Sequence, residues 1–298
     1  MAEIIQKDGT WAFDGDALRL TPGRDKNVSL FRKTLGELTV PLGALAGVSF
    51  EHGKKSGRLR LRLRDGADPL LQATGGKLAE PDDPYQLTVD SDRFGVAEYF
   101  VDEVRGALLL DQVPTDPVDA YLLPGPSVPL SASAGDGTAS FDGEHIRLEW
   151  NWKTEDAKAA AGTRSLAFTD ITGVEWHPAA GLENGYLRFT VRGAETKAPP
   201  KYDPNSVELW GFKKDPLMAL VAAAVQARLP HPTAPPVDDV RPGVSPKKEL
   251  LPAQRPAPAE DDHDALLRRL RELGELRRSG VLTDEEFTLA KQAVLKRM

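Results

Sequence analysis

Asp8-Gly9-Thr10-Trp11-Ala12-Phe13-Asp14-Gly15 opens the chain, and Asp136-Gly137-Thr138-Ala139-Ser140-Phe141-Asp142-Gly143 repeats it at an offset of 128. Arg19 and Leu20 carry the same offset to Arg147 and Leu148. Residues 45–50 (Leu-Ala-Gly-Val-Ser-Phe) then match 171–176 (Ile-Thr-Gly-Val-Glu-Trp), and Gly57-Arg58-Leu59-Arg60-Leu61 matches Gly185-Tyr186-Leu187-Arg188-Phe189. Asp83-Pro84 meets Asp203-Pro204 at an offset of 120, so the first copy holds eight more residues in the preceding loop. Each copy closes on an apolar, helix-like segment, 94–109 and 216–229. Matches in one order with similar gaps mean a duplicated domain.

Working outward, the chain divides into a first repeat over 1–112, a second over 113–229, a linker over 230–260 and a helical module over 261–298. The 298 residues leave room for two modest cores. The absence of cysteine excludes disulfides, thiol catalysis and sulfur-ligated zinc, and fits a reducing cytoplasm. The first seven residues, Met-Ala-Glu-Ile-Ile-Gln-Lys, lack the form of a signal peptide, and the longest apolar run, 217–225, is far too short to span a bilayer. A soluble protein is expected. The net charge of −7, divided as −2 over 1–110, −5 over 111–229 and zero over 230–298, argues against a nucleic-acid partner.

Period two dominates each repeat. Residues 58–64 alternate arginine and leucine without error, as a strand with one dry face requires. Shorter strands read at 18–20, 48–50 and 86–89, separated by turn signals at Asp14-Gly15, Gly53, Asp65-Gly66 and Asp83-Pro84. The period then changes: Val96, Tyr99, Phe100, Val104, Ala107 and Leu108 predict an amphipathic helix. In the second repeat Asp215 is placed to cap a helix that Pro216 begins. The fold class is therefore α+β: two tandem antiparallel sheets or partial barrels, each closed by a C-terminal helix, followed by a two-helix hairpin.

About seven strands and a terminal helix resemble the pleckstrin-homology-like fold. The tandem Phe-Asp-Gly motif with its following Arg-Leu resembles an actinobacterial family of unknown function that usually occurs as paired copies, and this resemblance implies no activity. Nine prolines between Pro230 and Pro258 predict a disordered, extended linker over 230–260. Beyond it, Leu266, Leu270, Leu273 and Leu276 make one helical stripe, and Thr283-Asp284-Glu285-Glu286 starts a second helix bearing Phe287, Ala290 and Val294. Together with Gly280, Leu282, Lys291 and Leu295 these residues resemble the SHOCT family of short C-terminal domains, which implies association. The candidate association residues are Leu266, Leu270, Leu273, Leu276, Phe287 and Val294.

The candidate binding site is a row of cations. Arg58, Arg60, Arg62 and Arg64 share a strand face, with Lys54 and Lys55 at the preceding turn, and could hold phosphates or an acidic partner. The plainer reading is a solvated face whose arginines pair with acids on neighbouring strands. Trp150 and Trp152 offer a stacking surface, or more simply packing against the other lobe. Thr74-Gly75-Gly76-Lys77-Leu78 fails as a phosphate loop, because Leu71 and Leu78 stand where Gly and Ser or Thr are needed; a turn is expected. The five histidines are scattered, no Gly-x-Ser-x-Gly occurs, and Asp14 and Asp142 read as hairpin turns. No catalytic, metal or cofactor residue is assigned. The expectation is a non-enzymatic scaffold that associates with itself or with another protein. The alternative is recognition of an acidic membrane surface or phosphorylated ligand by the arginine row, and an enzyme comes third.

Overall fold

The computed structural model describes residues 1–194, 196 and 198–234. In the first copy, strands β1 (Ala2–Ile5), β2 (Gly9–Phe13) and β3 (Ala17–Pro22), then helix α1 (Leu30–Leu35) and strand β4 (Leu38–Pro41), build a four-stranded antiparallel sheet in chain order. Strands β5 (Leu45–Glu51) and β6 (Ser56–Leu63), helix α2 (Pro69–Thr74) and strand β7 (Gln86–Asp90) supply a three-stranded sheet, and helix α3 (Phe94–Leu110) closes the lobe. The alternation at 58–64 works as read: Leu59, Leu61 and Leu63 are buried while the arginines face outward.

The second copy repeats the plan. Strands β8 (Leu130–Ala134), β9 (Gly137–Phe141) and β10 (His145–Trp150), helix α4 (Asp156–Ala159) and strand β11 (Arg164–Ala167) form its four-stranded sheet. Strands β12 (Ile171–His177), β13 (Gly185–Val191) and β14 (Ser206–Leu209) form its three-stranded sheet, and helix α5 (Leu217–Gln226) ends it. Even the irregularities are duplicated. The pairing slips by one residue between Leu45 and Gly47 on β5 and between Ile171 and Gly173 on β12. Asp14 and Asp142 each cap a hairpin turn, accepting the N–H groups two and three residues on at 2.7–3.0 Å. Those backbone donors hold both carboxyls below the usual range. Among the described residues no barrel closes, and two sheets plus a helix enclose each core.

The copies differ at their terminal helices. Helix α3 buries Ala97, Phe100, Val101 and Val104 and leaves Tyr99, Leu109 and Leu110 exposed, so Tyr99 falls outside the stripe that its spacing suggested. Every residue of α5 from Met218 to Gln226 is buried. One side of α5 packs on β8, β9, β12 and β13 of its own copy, and α1 and α2 of the first copy cover it as well. Phe31, Leu70 and Ala73 of the first copy thus belong to the second copy's core.

Helix α2 lies in the loop that carries the extra residues. Asp68 caps it, its carboxylate accepting Leu70 N–H at 2.9 Å, Leu71 N–H at 3.1 Å and Tyr85 O–H at 2.8 Å. Gly75 ends it in the left-handed conformation, φ 56°, which accounts for the glycine pair as a helix stop. Asp215 is a correction. Its Oδ2 turns back to the N–H groups of Gly211 (2.7 Å) and Phe212 (3.1 Å), and no side chain caps α5.

Between the copies, Val113, Val118 and Leu123 pack against the first core. Gln226 donates to the Tyr121 hydroxyl at 2.7 Å. Residues 231–234, the start of the expected linker, hold to the first copy and to the segment after it: His231 Nε2 lies 3.0 Å from Gly66 O, its ring meets Tyr121 at 4.7 Å, and Thr233 donates to Val118 O at 2.9 Å. The expectations for 235–260 and 261–298, including all six candidate association residues, lie outside the described residues.

Candidate functional site

The six candidate cations do not converge on one point. Arg58 makes a two-pronged pair with Glu80 (2.7 and 2.9 Å), and Arg60 reaches the same carboxylate at 3.2 Å. Arg62 donates to Ala46 O at 3.3 Å, and Arg64 donates to Asp116 O at 2.8 Å and Gly43 O at 3.0 Å. Lys54 and Lys55 stand exposed at the β5–β6 turn. The acid that answers Arg58 and Arg60 comes from the extended β6–β7 loop and not from a neighbouring strand.

A more informative pair escaped the sequence reading. Asp136, first residue of the second motif, is buried with Lys158 of α4; their charged atoms lie 2.6 Å apart and the lysine side chain is 0 % exposed. The other oxygen of Asp136 accepts Glu208 N–H at 2.8 Å, tying the β8–β9 turn to β14. Lys158 also donates to Pro200 O at 3.1 Å and lies 4.6 Å from the Trp150 ring centre. Burial pushes the Asp136 carboxyl up and the Lys158 ammonium down, each opposed by the hydrogen bond to the other.

The first copy has the same device. Asp8 accepts Thr88 N–H on β7 at 3.1 Å and lies 3.4 Å from the Arg32 guanidinium of α1. Arg32 and Lys158 are 126 residues apart, the offset that relates residues 45–50 to 171–176, so the signal was present in the numbering.

The two pairs differ in access. In the second copy Gly135 (φ 54°) runs so close to β14 that any side chain there would collide with the Glu208 carbonyl. The equivalent residue in the first copy is Lys7, and a groove of about 420 Å³ opens there. Gln6, Asp8, Arg32, Arg58, Glu80 and Thr88 line it. One Asp8 oxygen and the Gln6 amide nitrogen are buried without a hydrogen-bond partner. A second cleft, about 410 Å³, lies between the copies and is bordered by Leu30, Asp82, Trp176, Phe212 and Asp215. Burial pushes the Asp82 carboxyl up, against the Ser29 hydrogen bond and the Arg32 charge.

Residues 11–105 and 139–226 both match the family described as domain of unknown function DUF4429, and together they cover more than half of the chain. The chain belongs to the DUF4429 family. The two matches begin 128 residues apart, the offset of the opening motif. Residues 268–295 match SHOCT, the short C-terminal domain. No curated protein matches the chain. Neither family description names a reaction.

Within the DUF4429 copies, no cluster of three or more His, Cys, Asp and Glu side chains is placed to hold a metal ion among the described residues. No described helix is long and apolar enough to cross a membrane. The two tryptophans of the second copy separate. Trp150 packs partly on its own core and donates to Gly162 O at 2.8 Å, whereas Trp152 lies beyond the end of β10 and is 89 % exposed. Packing against the other lobe, expected for both, is shown for neither: Trp150 meets Gly137, Gly162 and Lys158 of its own copy, and Trp152 stands in solvent.

Proposed function

We propose that this DUF4429–SHOCT protein is a non-enzymatic scaffold, in which the paired copies present binding surfaces and the C-terminal module joins chains together. The observation that carries the reading is α2 of the first copy buried against α5 of the second, which makes one body of two repeats. A body of this kind suits presentation of surfaces at fixed separation. The SHOCT stretch supplies the second half of the argument. A stretch of roughly 37 residues is too short to bury enough apolar surface to fold alone, and it contains no cysteine for a disulfide. The stripe of Leu266, Leu270, Leu273, Leu276, Phe287 and Val294 therefore needs cover, and a second copy of the chain is the simplest source.

Light scattering coupled to size exclusion tests this reading. The full chain is expected to run as an oligomer at micromolar concentration, and a chain ending at Ala234 as a monomer. Leu270→Asp with Leu273→Asp should act like the truncation, since burying unpaired carboxylates costs several kcal/mol. A monomeric full-length chain contradicts the self-association.

A further inference from the structure

Trp152 (89 % exposed) and Phe212 (59 % exposed) project from the β10–β11 and β14–α5 connections of the second copy. They belong to one cluster. The Lys153 ammonium lies 5.4 Å from the Trp152 ring centre, 5.1 Å from Trp210 and 5.9 Å from Phe212, and Trp210 meets Phe212 edge to face at 6.2 Å. Glu208 holds Asn184 (3.0 Å) and Trp210 (3.2 Å), which brings the β12–β13 connection with its exposed Leu182 alongside. Lys213 and Lys214 follow Phe212 in the chain, and Lys201 lies 4.5 Å from the exposed Tyr202 ring.

Phe212 also borders the cleft between the copies, yet more than half of it is exposed, and Trp152 and Tyr202 likewise stand in water at the tips of their connections. Their neighbours indicate what they meet. Protein interfaces are rich in aromatic residues but poor in lysine. Here each exposed ring has a lysine beside it in sequence: Trp152-Lys153, Lys201-Tyr202 and Phe212-Lys213. Amphipathic rings at headgroup depth, with ammonium groups on lipid phosphates, suit the boundary between an acidic bilayer and water. Among the described residues of these connections Lys153, Lys201, Lys213 and Lys214 stand against the exposed acids Glu155, Asp156 and Glu183, while Asp203 and Asp215 are buried and hold Arg188 and Gly211 N–H, and charges further off are screened beyond about 10 Å. The arginine row of the first copy has no part in this surface, and Glu80 already engages two of its members.

We propose that this end of the second copy docks on an acidic lipid surface, inserting Trp152 and Phe212 and setting Lys153, Lys213 and Lys214 against the headgroups. The test is co-sedimentation of the full chain at low salt with vesicles of equimolar phosphatidylcholine and phosphatidylserine, with tryptophan emission as second readout. The wild type binds and its emission moves to the blue. Trp152→Ala with Phe212→Ala weakens binding on the order of tenfold or more while leaving the thermal midpoint in place, because both rings are exposed. Lys153→Glu, Lys213→Glu and Lys214→Glu together weaken it comparably, whereas Arg58→Glu does not. A wild type that ignores these vesicles overturns the proposal, as does a double aromatic variant that binds like wild type. Equal binding to phosphatidylcholine alone also overturns it. So does loss of self-association in Trp152→Ala without vesicle binding, which would assign the rings to a second copy of the chain.

Discussion

Helices α3 and α5 end equivalent copies, yet α3 keeps one face in water and α5 keeps none. Leu109 at the end of α3 is 78 % exposed, while all ten residues of α5 except Leu217 are buried. The difference does not arise in the helices' own sheets, which share strand order and even the bulge position. It arises in the loop that is longer in the first copy, where a capped six-residue helix reaches over the second. A helix apolar on all sides must be covered on all sides. Duplication therefore made two similar lobes, and a short insertion in one of them made a single body.

The largest expected effect separates the two ion pairs. Asp136→Ala leaves Lys158 fully buried without a counter-ion and should cost about 3–5 kcal/mol in urea unfolding. Asp8→Ala also strands a buried guanidinium, but Asp8 is 26 % exposed in an open groove beside Glu80, and the loss should be only about 1–2 kcal/mol. Asp136→Leu with Lys158→Met removes both charges and should cost less than Asp136→Ala alone. Equal losses at Asp8 and Asp136 would break the contrast between an open and a sealed site.

A smaller effect sharpens the seam between the copies. Lys77 of the first copy donates to His177 Nδ1 of the second at 3.1 Å, and the His177 ring stacks on Tyr186 at 4.8 Å. Partial burial lowers the His177 pKa below 6.5, the Lys77 charge adds to this, and Glu175 opposes it. The folded chain therefore prefers the neutral ring. That contribution is complete above pH 6.5 and declines as pH falls below it, where the unfolded chain takes up the proton first. Because the ring is partly solvated, the decline should be small, and His177→Asn should abolish it. Urea midpoints measured above and below pH 6.5 decide the point; a midpoint that rises on acidification only in the wild type contradicts it.

Much of this was legible in the sequence because period and offset report backbone geometry. The alternation at 58–64 placed three leucines inward, and the offset of 128 placed both hairpin turns. The Asp–cation pairs were also legible in principle, through the offset that carries Arg32 to Lys158, but only to a reader who aligns α1 with α4. Helix α2 was not. Six residues are too few for a helical period, and Asp68-Pro69 with Gly75-Gly76 signals a start and a stop without saying what the helix touches. Glu80 was hidden for the same reason: a loop has no period from which to place a partner for Arg58.

Hydrogen exchange on α5, in the wild type and in Leu70→Asp, tests most directly whether α2 of the first copy completes the core of the second. Leu70 is buried in that core, although it belongs to the first copy's chain. If α2 completes the core, the α5 amides lose protection in the variant while those of α3 keep theirs, and the exposed-site control Leu109→Asp changes neither. Unchanged protection of α5 in Leu70→Asp would mean that the second copy holds its helix alone and that the two repeats are separate domains in contact.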